Sequence, residues 1–94
     1  MAKIKWSLPA INDLESICDY IARDSPSAAE KLATEINERV KGLEKFPRMG
    51  RIVPEREDPD LRELILGNYR IIYRITDGDV EILAIMHSKR KFSL

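Results

Sequence analysis

Ninety-four residues, 44% hydrophobic and 34% charged, suffice for a single domain spanning 1–94 with one modest core. The formal net charge is zero, so bulk charge does not mark the chain as a nucleic-acid binder. No apolar run approaches the roughly 20 residues that cross a bilayer, and the opening Met1 to Trp6 is too short in apolar residues for a signal peptide.

Cys18 stands alone, which forbids an internal disulfide and fits a reducing cytoplasm. It is expected as a small buried hydrophobe, since no histidine lies near it in a nucleophile or metal pattern. Neither a metal nor a cofactor is expected.

Lys3-Ile4-Lys5-Trp6 alternates polar and apolar residues, as a short strand with one buried face does. Pro9 suits the first turn of a helix whose apolar stripe is Ile11, Leu14, Ile17, Cys18 and Ile21. Ser25-Pro26 ends that helix and starts another, with Ser25 as N-cap. The second helix places Ala29, Leu32, Ala33, Ile36, Val40, Leu43 and Phe46 on one face and stops before Pro47. So short a link predicts an antiparallel helical hairpin.

Residues 47–59 carry Gly50, three prolines and mixed charge without periodicity, and are expected as a loop. From Leu61 the period becomes that of strands. Leu61–Leu66 runs into Gly67-Asn68, then Tyr69–Ile75 into Asp77-Gly78, then Val80–Met86. Tyr69, Ile71, Tyr73 and Ile75 share one face of the middle strand; Arg70, Ile72 and Arg74 share the other. The predicted fold class is α+β, in the order β-α-α-β-β-β, with the hairpin packed on a small antiparallel sheet. The final eight residues, from His87, hold three positive charges and no negative one, a local basic patch.

Arg62-Glu63-Leu64, then Gly67-Asn68-Tyr69-Arg70-Ile71-Ile72-Tyr73-Arg74, then Ile85-Met86-His87 with Lys89-Arg90 beyond, resembles the RelE/ParE toxins of type II toxin–antitoxin systems. Asp13-Leu14, Ile17 and Tyr20-Ile21 in the first helix agree, as does Phe46-Pro47 followed by Gly50-Arg51. The resemblance covers nearly the whole chain. It implies a plasmid-stabilisation-type toxin that arrests growth and is neutralised by a cognate antitoxin in a hetero-oligomer. The antitoxin is expected to lay an amphipathic segment on the helical hairpin and sheet edge, over the Arg70–Arg90 region. Two mechanisms share this fold: RelE-like members cut mRNA on the ribosome without a metal, and ParE-like members poison DNA gyrase without acting as enzymes.

For metal-free RNA cleavage the resemblance implies Arg70 at the scissile phosphate, Arg90 or Lys89 as the cation after the last strand, and Phe92 near a base-stacking aromatic. His87 would be the acid or base, histidine being the side chain whose ordinary pKa lies close to neutral. Arg62, Arg74, Lys89, Lys91 and Phe92 are candidate contacts to nucleic acid or another target. Arg62 and Arg74 also have a plainer reading, as cross-strand partners of Glu63, Glu81 or Asp79. Lysines that RelE-type nucleases often carry before the Gly-x-Tyr-Arg turn are replaced by Leu61 and Glu63, and Phe92 has no hydroxyl. The balance therefore leans to a ParE-like gyrase inhibitor, with the mRNA interferase as the alternative and a non-toxic binding module on the same fold as the second. An Arg70→Ala variant is expected to fold normally if Arg70 acts on a target.

Overall fold

The computed structural model describes residues 1–93. Both helices begin where capping chemistry directs. The Ser7 hydroxyl accepts the Ala10 N–H at 3.2 Å and opens α1, Leu8–Ala22; the Ser25 hydroxyl does the same for Ala28 at 3.2 Å and opens α2, Pro26–Lys41. A proline sits in the first turn of each, where its missing N–H leaves no bond unmade. After Lys41 the chain tightens into a single 3-10 turn, Gly42–Glu44.

Two details of the helical faces differ from the periodicity. The α1 face is centred on Ala10, which is fully buried, with Leu14 and Ile17 packed beside it, while Ile11 lies at the margin and is partly exposed. Phe46 is exposed, because the 3-10 turn rotates it off the α2 stripe before Pro47. Cys18 is half-buried; burial raises its pKa, and its thiol faces the Ala29 carbonyl at 3.8 Å. No helix among the described residues is long and apolar enough to cross a membrane.

The remaining elements form one five-stranded sheet: β1 (Ile4–Trp6), β2 (Arg51–Ile52), β3 (Leu61–Leu66), β4 (Tyr69–Thr76) and β5 (Asp79–His87). Their spatial order is β1-β5-β4-β3-β2. The meander β3-β4-β5 is antiparallel, as expected, but β1 lies parallel to β5, with Ile4 opposite Val80 and Trp6 opposite Ile82. The sheet is therefore mixed and not wholly antiparallel. The helical hairpin carries the chain across one face, so a first strand beside the last one runs parallel to it. A second correction falls in the expected loop, where Arg51 and Ile52 pair with Glu63 and Arg62 as a short edge strand. Two residues are too few for any periodicity to show.

The Asp77-Gly78 turn between β4 and β5 has φ of 52° and 81°, the left-handed pair that a tight hairpin turn demands and that Asp-Gly supplies. β5 also carries a bulge. Ile72 faces Ala84 and Tyr73 faces Ile82, so Leu83 is the extra residue. This shifts the alternation of β5: Val80 and Ile82 point to the helices before it, and Ile85 after it. The backbone groups the bulge releases are taken up by α1. The Leu83 carbonyl accepts from the Ser7 hydroxyl at 3.3 Å, and the Ile85 N–H donates to the Asp13 carboxylate at 3.0 Å.

Two apolar clusters result, one on each face. Ala10, Ile36, Val40 and Leu43 meet Leu64, Ile71, Tyr73, Ile75, Val80, Ile82 and Ile85 beneath the helices. On the other face Val53, Leu61, Ile72, Ala84 and Phe92 form a smaller cluster, flanked by Leu83 and Met86. Among the described residues no helix covers that second face. The segment after β2 and the tail after β5 cover it.

Candidate functional site

The outer face of the sheet places Glu63 on β3 and Arg70 on β4 among the apolar residues of the smaller cluster. Their side chains are 0% and 4% exposed. Buried charges persist only when paired and fully hydrogen-bonded, and this pair is. Arg70 Nε donates to Glu63 Oε1 at 2.7 Å, and one terminal nitrogen reaches the same oxygen at 2.6 Å. The two terminal nitrogens also hold both oxygens of Glu55 at 2.8 Å, the bidentate geometry of a guanidinium on a carboxylate. One terminal nitrogen also donates to the Arg90 carbonyl at 2.6 Å. Four hydrogen bonds and the short ion-pair contact to Glu63 thus engage all three nitrogens of the guanidinium.

The network continues on both sides. Arg51, largely exposed on β2, donates to the other Glu63 oxygen at 2.6 Å. Glu55 accepts the Phe92 N–H at 2.8 Å. Arg70, and after it the Phe92 amide, hold the Glu55 carboxyl far below the ordinary range, at about 2. Bidentate pairing raises the already high pKa of Arg70, against the effect of burial. Among the described residues no buried side-chain nitrogen or oxygen lacks a partner.

The segment from Pro47 to Asp60, irregular in sequence, is fixed in place by side chains from the sheet. The Tyr73 hydroxyl donates to the Pro47 carbonyl at 2.7 Å and accepts the Gly50 N–H at 3.0 Å. Gly50 is required for that approach, since a Cβ there would lie 2.6 Å from the Glu63 carbonyl and 2.7 Å from the Tyr73 oxygen. Arg62 donates to the carbonyls of Pro59, Arg48 and Gly50, at 2.8, 3.1 and 2.9 Å. Arg74 pairs with Asp58 at 3.2 Å and Arg48 with Asp60 at 2.8 Å. Arg62 and Arg74 therefore bind the segment from Arg48 to Pro59, and not Glu63, Glu81 or Asp79 across the strands. Arg62 shares the helix-side face of β3 with Leu64, and Arg74 shares the outer face of β4 with Ile72, and the segment passes both.

The residues singled out in the sequence do not form one open cluster. Arg70 lies beneath the tail. His87 stands exposed at the end of β5, its ring edge-on to Tyr69 with centroids 6.2 Å apart, its Nδ1 accepting the Lys89 N–H at 3.2 Å. Lys89, Arg90 and Lys91 are exposed, and Arg90 meets Arg70 only through its backbone carbonyl. Phe92 is 7% exposed, its ring inside the smaller cluster, so no face is open to stack on a base. Glu55 is the participant that sequence reasoning missed, because a carboxylate in an aperiodic loop carries no positional signal. Glu63 did carry one: it shares a strand face with Leu61, and a charge on a burying face needs a partner. Among the described residues no group of three or more His, Cys, Asp or Glu is placed to hold a metal ion.

A helical hairpin on a mixed five-stranded sheet is the fold of the ParE/RelE toxins, and comparison with known proteins agrees. The family described as the ParE toxin of type II toxin–antitoxin system, parDE, matches residues 4–92. The chain is 36% identical over 91 residues to Toxin RelE2 of Caulobacter vibrioides, covering 96% of this chain and 99% of that protein. It is 39% identical over 92 residues to Putative toxin Y4kP of Sinorhizobium fredii, covering 96% and 92%. A solved chain of the chromosomal ParDE toxin–antitoxin system from P. aeruginosa superposes with a TM-score of 0.77 at 30% identity, over 95% of this chain and 98% of that one. The RelBE2 toxin–antitoxin complex from Mycobacterium tuberculosis contains the same fold, with a TM-score of 0.61 at 23% identity over 92% and 90%. The chain belongs to the ParE toxin family of type II toxin–antitoxin systems, within the RelE/ParE superfamily.

Proposed function

We propose that this toxin acts as a ParE-like inhibitor of DNA gyrase in the cytoplasm and does not cut mRNA. One observation carries the reading. The arginine that a RelE-like nuclease would turn to the scissile phosphate is buried here, with each of its three side-chain nitrogens already bonded to Glu55, Glu63 or the Arg90 carbonyl. Stabilising phosphate charge needs preorganised donors aimed at the substrate, and those of Arg70 are aimed at Glu55, Glu63 and the tail. The ParE family match and the P. aeruginosa ParDE likeness support the same reading. The partner that holds the toxin inactive is a cognate antitoxin; several of the solved relatives are toxin–antitoxin complexes.

The mRNA interferase is the second reading, favoured by the likeness to Toxin RelE2 and by the exposed His87, Lys89, Arg90 and Lys91. Pulse-labelling after induction separates the two. An early fall in thymidine incorporation with DNA-damage signalling supports gyrase poisoning. An immediate fall in amino-acid incorporation, with thymidine incorporation spared, overturns it and returns His87 and Arg90 to catalytic candidacy.

A further inference from the structure

The tail after β5 is held the way a docked peptide is held. The chain turns the corner through two backbone bonds, Ser88 N–H to the Asn68 carbonyl at 2.7 Å and Arg90 N–H to the His87 carbonyl at 3.0 Å. Beyond the corner three contacts remain. The Arg90 carbonyl accepts from Arg70 at 2.6 Å, the Phe92 N–H donates to Glu55 at 2.8 Å, and the Phe92 ring enters the apolar floor of Val53, Leu61, Ile72 and Ala84. The side chains of Arg90 and Lys91 are exposed. The site thus recognises one backbone carbonyl, a backbone N–H two residues on, and a large apolar side chain at that second position.

We propose that Glu55, Arg70 and this floor form a peptide-binding groove, filled in cis by Arg90–Phe92, that takes in trans an extended protein segment with a large apolar residue in the Phe92 position. The groove does not depend on whether the toxin acts on gyrase or on mRNA. Its walls are built before any ligand arrives: Arg70 is fixed by Glu63, and Glu55 by Arg70. The resident segment is tethered, so its effective concentration is of millimolar order, and a trans segment displaces it only by adding contacts elsewhere. Truncating the Phe92 side chain empties the apolar floor and weakens that competition.

The test uses the full chain. An acetylated and amidated peptide, Ser-Lys-Arg-Lys-Phe-Ser, is titrated into Phe92→Ala and into wild type, and amide resonances of Glu55, Ile72 and Ala84 are followed. Saturable shifts are expected in Phe92→Ala and none in wild type at the same concentration. The same peptide with alanine for phenylalanine should bind at least about tenfold more weakly, since the buried ring supplies most of the affinity. A folded Phe92→Ala chain that binds neither peptide, or both alike, overturns the proposal. Hydrogen exchange keeps it testable should that variant unfold. In wild type the Phe92 amide must exchange at least about tenfold faster than the Ile71 and Ile85 amides, and faster still in Glu55→Gln. A Phe92 amide that exchanges only with global unfolding refutes a groove whose occupant can leave.

Discussion

Replacing Arg70 with alanine puts the site's central feature to a direct test. The substitution leaves the Glu63 carboxylate, which is 0% exposed, paired with Arg51 alone among the described residues. Removing one partner of a buried ion pair costs about 3–5 kcal/mol, and the surviving Arg51 contact argues for about 3 kcal/mol. For a domain of this size each kcal/mol moves the thermal midpoint by about 4–8 °C, so a fall of about 12–24 °C is expected. Thermal and urea unfolding followed by far-ultraviolet circular dichroism measure it. A double variant, Arg70→Met with Glu63→Leu, removes both charges from the apolar face and should recover more than half of the loss. The sequence alone leaves two outcomes, a normally folded Arg70→Ala chain without toxicity if Arg70 acts on a target, and loss of folding if Arg70 is structural. An Arg70→Ala midpoint within about 4 °C of wild type, or a double variant no better than the single one, refutes the clamp.

Other perturbations probe the surrounding architecture. Gly50→Ala forces a Cβ against the Glu63 carbonyl and the buried Tyr73 ring, and should cost about 1–3 kcal/mol in urea unfolding. Asp13→Ala leaves the bulge N–H of Ile85 without its acceptor, for a loss of about 1–3 kcal/mol by the same assay. Arg90→Ala should leave the midpoint within about 4 °C of wild type, because the clamp uses only its backbone carbonyl. The Glu55 contribution has a defined acid window. Its folded pKa is lowered from 4.5 to about 2, so the stabilisation is complete above about 4.5 and is lost as pH falls towards 2. The midpoint difference between wild type and Glu55→Gln should therefore be present at neutral pH and vanish by about pH 2; a constant difference contradicts the ion pair.

The sequence by itself determined the elements whose information is local. A proline in the first turn marked both helix starts, with Ser25 capping the second, and Asp77-Gly78 marked the hairpin turn. Alternation along Tyr69–Ile75 assigned Tyr73 and Ile72 to opposite faces, as the two clusters show. Tertiary structure decided whatever depends on partners distant in the chain. The parallel pairing of β1 with β5 follows from how the hairpin returns the chain, and the bulge at Leu83 is stabilised by Ser7 and Asp13, more than 70 residues away in sequence. The same holds for Arg70. Its motif position gave the residue and its strand face, but not its neighbours. Whether a guanidinium faces a phosphate or is sealed inside the protein depends on what reaches it. Here that is Glu55 from an aperiodic loop and the Arg90 carbonyl from the tail, and neither a loop carboxylate nor a backbone oxygen leaves a periodic trace in sequence.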